Sequence, residues 1–169
     1  FDGLNVINFK KSNYGIPGDR IFTISIDILN RIWVGTNEGI GIYDGNSWTV
    51  YNKNNSGLIS NDITSIKFGN ENIVWIGAYT GLYKLNGTAW TRYNNFMNTI
   101  WVNDLEIDNE NIWVATNSGI VRLTNGIFEY FPDSIYNYQT NLVSSVEKDH
   151  LNNIWFCHLN TSNARNGVS

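Results

Sequence analysis

The sequence has one cysteine, two prolines, one methionine and two histidines in 169 residues. The single Cys157 excludes an intrachain disulfide framework. It lies inside a strand-like run, where a thiol behaves as a small buried hydrophobe. Pro17 and Pro132 fall between the apolar runs and leave the runs themselves uninterrupted. No apolar stretch approaches the ~20 residues that a membrane-spanning helix needs, so no membrane segment is expected in this chain. No signal-peptide pattern opens the sequence, which starts without Met and is therefore silent on compartment. Only 15% of residues are charged, and the net charge of −4 with a pI near 5.0 argues against a nucleic-acid partner, which would want a basic face. Phosphate-cradling glycine loops and nucleophile elbows are also missing, so no cofactor is expected.

What the chain has is tryptophan, asparagine and a period. Ile32-Trp33-Val34-Gly35-Thr36 recurs as Val74-Trp75-Ile76-Gly77-Ala78, as Ile112-Trp113-Val114-Ala115-Thr116 and as Ile154-Trp155-Phe156. The tryptophans are 42, 38 and 42 residues apart, and Gly39, Gly81 and Gly119 follow the first three by six. Trp48, Trp90 and Phe128 follow by 15, and Tyr51, Tyr93 and Phe131 by 18. A period of about 40 with four short apolar runs marks a repeat architecture. The abundant Asn, often paired, suits a chain with many hairpin turns.

Each unit reads as four strands: 21–26, 31–36, 40–43 and 47–51; then 63–68, 73–78, 82–85 and 88–93; then 102–107, 111–116, 120–123 and 127–131; and 143–148 with 153–158. Asp44-Gly45-Asn46 and Asn86-Gly87 are hairpin turns. Four-stranded antiparallel units of this length, arrayed radially, are the blades of a β-propeller. The expected division is 1–11 for the last strand of a preceding blade, 20–53, 62–95 and 101–132 for three blades, and 142–169 for an incomplete fourth. The first expectation follows from Phe1-Asp2-Gly3 aligning with Tyr43-Asp44-Gly45, and Phe9 with Tyr51. Such phasing suggests a piece of a larger, seven-bladed ring rather than a closed four-bladed one. The Trp rings should fill the wedges between blades. The glycine two residues on should let backbones approach, and Gly39, Gly81 and Gly119 should supply positive φ.

The run Asp27-x-x-Asn30-x-Ile32-Trp33-Val34-Gly35-Thr36-x-x-Gly39-Ile40, with its linker Asn55-Ser56-Gly57-Leu58-Ile59-Ser60-Asn61-Asp62, resembles the two-component-regulator propeller repeat. The match is strong in the first unit, good in the second and third, and partial in the fourth. The resemblance implies a periplasmic sensor region of a hybrid two-component regulator, of the type frequent in Bacteroidetes, responding to glycan fragments. It equally implies secreted or cell-surface propellers, including accessory proteins of secretion machinery. The fourth strands, such as Asn86-Gly87-Thr88-Ala89-Trp90-Thr91-Arg92-Tyr93, look more like the secreted kind.

The residues offer little chemistry of their own. Asp27-x-x-Asn30, Asp108-Asn109-Glu110-Asn111 and Asp149-x-x-Asn152-Asn153 carry oxygens that could bind calcium, but they track the first hairpin, where Asp and Asn cap their own turns. His150, His158 and Cys157 do not share a face, so no metal site is expected. Asp104 and Glu106 lie on one face of an inner strand and could line a channel. There, carboxylates could do acid–base work as in a propeller lyase or glycosidase. A solvated lining is the simpler reading, because Ser25, Lys67 and Glu147 stand at equivalent places. The turns after second strands and the inter-blade connections open on one mouth. They put Glu38, Tyr79, Trp101, Asn117, Tyr136 and Tyr138 there as candidate glycan- or peptide-binding residues. Tyr79 replaces Asn37 and Asn117, so it departs from the repeat. The expected function is therefore non-catalytic: a ligand-sensing or protein-interaction module, periplasmic or at the cell surface, partnered by ligand, protein or further blades.

Overall fold

The computed structural model describes residues 4–93, 101–131, 142–158 and 167–168. The first sheet joins β1 (Ile21–Ile26), β2 (Ile32–Thr36), β3 (Gly39–Tyr43) and β4 (Trp48–Tyr51) in chain order. The second joins β5 (Ile63–Phe68), β6 (Ile73–Ala78), β7 (Gly81–Asn86) and β8 (Ala89–Tyr93). The third joins β9 (Val102–Asp108), β10 (Asn111–Thr116), β11 (Gly119–Thr124) and β12 (Ile127–Phe131). β13 (Val143–Lys148), β14 (Ile154–His158) and β15 (Gly167–Val168) form a three-stranded fourth. All pairings are antiparallel. The chain is a partial β-propeller of about four blades.

Turn chemistry sets these boundaries. Gly39, Gly81 and Gly119 have φ of 123°, 120° and 116°. An L side chain rarely adopts that backbone, and at Gly39 a Cβ would also lie 2.3 Å from the Tyr51 carbonyl oxygen. At the other end of the blades Asn30, Asn72, Asn109, Asn125 and Asn152 sit at φ between 51° and 65°, the left-handed region that Asn tolerates. The asparagine excess thus has a structural use. Residues 4–10 carry no strand; one helical turn, α1 (Lys11–Tyr14), follows them. An isolated segment with no neighbouring strand cannot hold a ladder. Phe9 nevertheless packs edge-on against Trp48 at 5.7 Å, the relation Tyr51 has to Trp90 at 5.7 Å and Tyr93 to Phe128 at 5.9 Å.

Blades stack through their Trp faces. Trp33, 3% exposed, lies in one cluster with Ile42 of its own blade and Ile66, Val74 and Ile76 of the next, with Leu58 of the connection closing it. Trp75 repeats this against Leu105, Ile112 and Val114. Trp113 packs on a smaller cluster of Ala115, Ile120, Val143 and Val146. Sheets covered on both faces need apolar side chains on both, so the central strands do not alternate.

The first strands are the innermost and are stitched to one another. Each has a β-bulge near its start, at Phe22, Thr64, Asn103 and Ser144. Thr64 Oγ1 donates to the Val102 carbonyl and Asn103 Nδ2 to the Val143 carbonyl, both at 2.7 Å. At Thr64 and Asn103 the bulge turns a short polar side chain out of its own sheet and onto the next blade.

The glycine two residues after Trp, present in the first two units as Gly35 and Gly77, works as expected. A Cβ on Gly35 would stand 2.6 Å from Thr23 Cγ2 and 2.9 Å from the Ile63 carbonyl oxygen, so blade 2 approaches blade 1 as closely as a bare backbone permits. Gly35→Ala should destabilise the chain by about 1–3 kcal/mol through overpacking. Chemical denaturation would show this as a lower midpoint at unchanged slope. A neutral result would mean the blades can part at no cost.

Candidate functional site

Three arrangements compete for a functional role: the hairpin carboxylates, the inner-strand carboxylates and the aromatic mouth.

The hairpin carboxylates are occupied by their own turns. Asp27 Oδ1 accepts from the backbone N–H groups of Leu29 and Arg31, both at 2.9 Å. Its Oδ2 accepts from Arg31 Nε at 2.6 Å and Trp33 Nε1 at 3.0 Å. Asp149 does the same with Leu151 N, Asn153 N and Asn153 Nδ2, and with Trp155 Nε1 at 2.8 Å. With four donors on each carboxylate, no oxygen is left to hold calcium. These aspartates clamp the repeat Trp to its hairpin, a role the sequence reading missed. The visible signal was an Asp six residues ahead of Trp in the first and fourth units.

The clamp is not uniform. In the second unit Gly69 stands in the Asp position. In the third the hairpin is one residue shorter, so Asp108 precedes Trp113 by five and points elsewhere: its Oδ1 accepts from Lys148 Nζ and Asn109 Nδ2, each at 3.0 Å. Trp113 Nε1 is consequently buried without a partner among the described residues. Burial raises the Asp27 carboxyl pKa. Hydrogen bonds from Trp33 and Arg31 and the Arg31 charge outweigh this and hold it below the ordinary range. The Trp155 hydrogen bond, helped by Asn153 and Leu151, brings Asp149 down to about 2.

The inner-strand carboxylates tie blades together. Asp104 Oδ1 accepts from Ser65 Oγ at 3.0 Å, and its Oδ2 accepts from Ser145 Oγ at 2.7 Å and Val146 N at 3.1 Å. One side chain of blade 3 thereby bridges blades 2 and 4. Glu106 takes Lys67 Nζ at 2.7 Å, with Glu147 3.8 Å from the same ammonium. Partial burial lowers the Lys67 pKa, but the Glu106 hydrogen bond and the charges of Glu106, Glu147 and Asp104 raise it further. Ser25, Lys67, Glu106 and Glu147 all stand opposite their repeat Trp in register. The expectation of a freely solvated lining is corrected here: the varied residue types are complementary rather than interchangeable.

Cys157 and His158 are consecutive residues of β14 and so face opposite sides. The thiol is half-buried. Among the described residues no group of three His, Cys, Asp or Glu side chains could hold a metal.

The mouth is built by one repeated backbone contact. Asn37 N donates to the Arg20 carbonyl, Tyr79 N to that of Asp62 and Asn117 N to that of Trp101, at 3.1–3.2 Å. Each turn after a second strand is thus pinned to the residue ahead of its first strand. Asn117 returns a side-chain bond, its Oδ1 accepting from Trp101 N at 3.0 Å. Across this frame the Tyr79 ring stacks on Trp101, with centroids 5.0 Å apart and planes at 24°. Phe22 lies 6.3 Å from Tyr79, and the Arg20 guanidinium stands 4.9 Å over Phe22. Trp101 is 51% exposed. The row Arg20, Phe22, Tyr79, Trp101 spans blades 1 to 3.

Of the residues expected at the mouth, the structure brings Tyr79, Trp101 and Asn117 together. Glu38 instead pairs with Lys11. Tyr136 and Tyr138 lie outside the described residues. Phe22 and Arg20 were not anticipated. The signal for Phe22 was its place in the repeat, where Thr64, Asn103 and Ser144 are short and polar. Trp33, Trp75 and Trp113 are structural wedges, whereas Trp155 is 48% exposed.

No protein-family model and no curated protein matches this sequence. Solved structures do. The extracellular domain of the hybrid two-component system BT3049 of B. thetaiotaomicron is 25% identical with a TM-score of 0.79 over 89% of this chain. That of BT4673 from the same organism is 19% identical, also with a TM-score of 0.79, over 92%. In both, this chain spans 22% of the other's length. PorZ, a surface component of the type-IX secretion system of Porphyromonas gingivalis, is 17% identical with a TM-score of 0.70, matching 97% of this chain and 26% of PorZ. The similarity to two-component-regulator propellers, read from the Trp motif, holds in three dimensions.

The two clamps set an acid limit. A carboxylate whose folded pKa is depressed contributes stability above its unfolded pKa and loses it as pH falls through the folded value. For Asp149 that window runs from the ordinary 3.8 down to about 2, and Asp27 shifts the same way. Melting temperature should fall between pH 4 and 2, and Asp27→Asn with Asp149→Asn should flatten that fall. An unchanged slope in the double variant would assign acid sensitivity to other carboxylates.

Proposed function

We propose that this chain is a non-catalytic recognition module from the extracytoplasmic sensor region of a two-component-type regulator, and that its mouth receives the ligand. The stack of Tyr79 on Trp101, extended by Phe22 and Arg20, carries the reading. An exposed aromatic shelf held rigid by backbone hydrogen bonds offers apolar area at low entropic cost, and the flanking guanidinium and amides supply direction. A glycan or a peptide has the ring faces or flat amides such a shelf takes. The extracellular origin of the BT3049 and BT4673 domains supports the location. No helix among the described residues is long and apolar enough to cross a membrane. A lyase or glycosidase reading would need a free acid or base at an inner strand, and Asp104 and Glu106 are engaged between blades.

The protein partner we propose is another blade. Ile24, 66% exposed, and Ile26 stand where blade 2 has Ile66 and Phe68, the residues that cover Trp33. Beside them a groove of about 410 Å³ is lined by Val6, Phe9, Ile16 and Val34. The blade units 20–53, 62–95, 101–132 and 142–169 would then be successive members of a larger ring.

Tyr79→Ala and Trp101→Ala should each weaken ligand binding by about 1–3 kcal/mol, while the melting temperature stays within a few degrees because the shelf lies outside the cores. A glycan array and a peptide library, read against tryptophan fluorescence titration, measure this. Hits that bind both variants as well as the parent would rule out the shelf.

A further inference from the structure

A second site lies on the opposite side of the blades, among the hairpins that carry the Asp clamps. Between blades 2 and 3 a cavity of about 520 Å³ opens against Gly69, Glu71, Trp75, Lys84, Tyr93 and Glu110. The equivalent cavity between blades 1 and 2, about 490 Å³, already contains the Asp27 carboxylate beside Trp33. Gly69 leaves the second cavity without that group. Its φ is −92°, ordinary for any residue, and a Cβ there would meet Trp75 Nε1 at 3.4 Å in normal contact. Nothing in the backbone demands the glycine.

The consequence is a tryptophan that is 8% exposed and whose indole N–H has no hydrogen-bond partner among the described residues. It borders the cavity, whereas Trp33 and Trp155 give the same N–H to a carboxylate at 3.0 and 2.8 Å. Glu71 stands where Leu29 and Leu151 present backbone N–H groups to those carboxylates. Lys84 lies 5.6 Å over the Trp75 ring. Among the described residues Lys84, Glu71 and Glu110 enter no ion pair. Trp75 and Tyr93, with ring centroids 5.5 Å apart, and Leu123 complete an apolar wall.

We infer that this cavity binds a small α-amino acid with an apolar side chain. Its carboxylate takes the position at Trp75 Nε1 that Asp27 and Asp149 fill in their own blades, with Lys84 as counter-ion. Its ammonium faces Glu71 and Glu110, and its side chain lies along Trp75, Tyr93 and Leu123. A simple carboxylate would make no use of Glu71 and Glu110, both exposed at the cavity rim, and a simple amine would make none of the indole N–H and Lys84. A zwitterion of this size answers all four. The site shares no residue with the mouth and stands or falls apart from it.

The seven indole N–H resonances of the chain make the test direct. L-leucine, 4-methylpentanoate and 3-methylbutylamine are titrated in turn into ¹⁵N-labelled protein, with the Trp75 indole signal assigned by its loss in Trp75→Phe. L-leucine should shift that signal saturably, with a dissociation constant on the order of 1 mM, and leave the Trp33 and Trp155 signals in place. Each single-charge analogue should bind about tenfold more weakly or less. Gly69→Asp, which supplies the carboxylate internally, should abolish the shift and raise the melting temperature. Lys84→Met should weaken binding about tenfold with the fold intact, and it serves as the independent variant if Gly69→Asp folds poorly. A linear shift common to all indoles, a response retained in Gly69→Asp, or one indifferent to Lys84→Met would overturn the site. Equal binding of 4-methylpentanoate would overturn the amino-acid assignment.

Discussion

Everything in this chain hangs on covering one large indole per blade. A Trp ring on a central strand cannot be hidden by its own four-stranded sheet, because the sheet is a single layer. It must be covered by the second strand and first strand of the next blade. Trp33 shows the solution: Ile66, Val74 and Ile76 arrive from blade 2, and Gly35 removes the side chain that would hold them off. The polar stitches between first strands then fix how far each blade turns about the common axis. Thr64 and Asn103 reach carbonyls of the next strand, and Asp104 holds serines on both sides. Apolar burial supplies the attraction, and short hydrogen bonds set the register.

The polar end of each indole is a separate problem, met in three ways across the four blades. Asp27 and Asp149 meet it with a carboxylate that also closes the hairpin. Blade 3 trades the clamp for a link from Asp108 to Lys148, leaving the Trp113 N–H buried and unmatched among the described residues. Blade 2 omits the carboxylate through Gly69 and opens a cavity there. Sequence variation within a repeat of fixed backbone thus becomes variation in chemistry at equivalent points.

The period and the strands were legible in the sequence because burial on both faces writes itself as apolar runs, and turns write themselves as Gly and Asn. β1, β5, β6, β10, β12 and β13 lie where the runs predict, β2, β3, β4, β8, β9 and β14 differ by one residue at one end, β7 and β11 extend by one residue at both ends, and β15 has no run that foretold it. What stayed hidden needed neighbours 40 residues away. Asp104 and Glu106 read as channel lining because their serine and lysine partners belong to other blades. Phe22 read as an ordinary strand residue because a bulge cannot be seen in a single strand; only pairing with β2 exposes it. The Asp–Trp clamp escaped for the opposite reason: it is local, but a turn-capping role already accounted for the Asp.

The blade 1 face, with Ile24 and Ile26, and the blade 4 face, with Trp155, are unlike surfaces. One presents aliphatic side chains that receive a ring, and the other presents the ring. The blade-to-blade contact proposed for them would be heterologous, head to tail, with no two-fold axis. Units joined this way can only follow one another around an arc. They close into a ring when the rotation per blade divides a full turn, and otherwise wind into a helical filament.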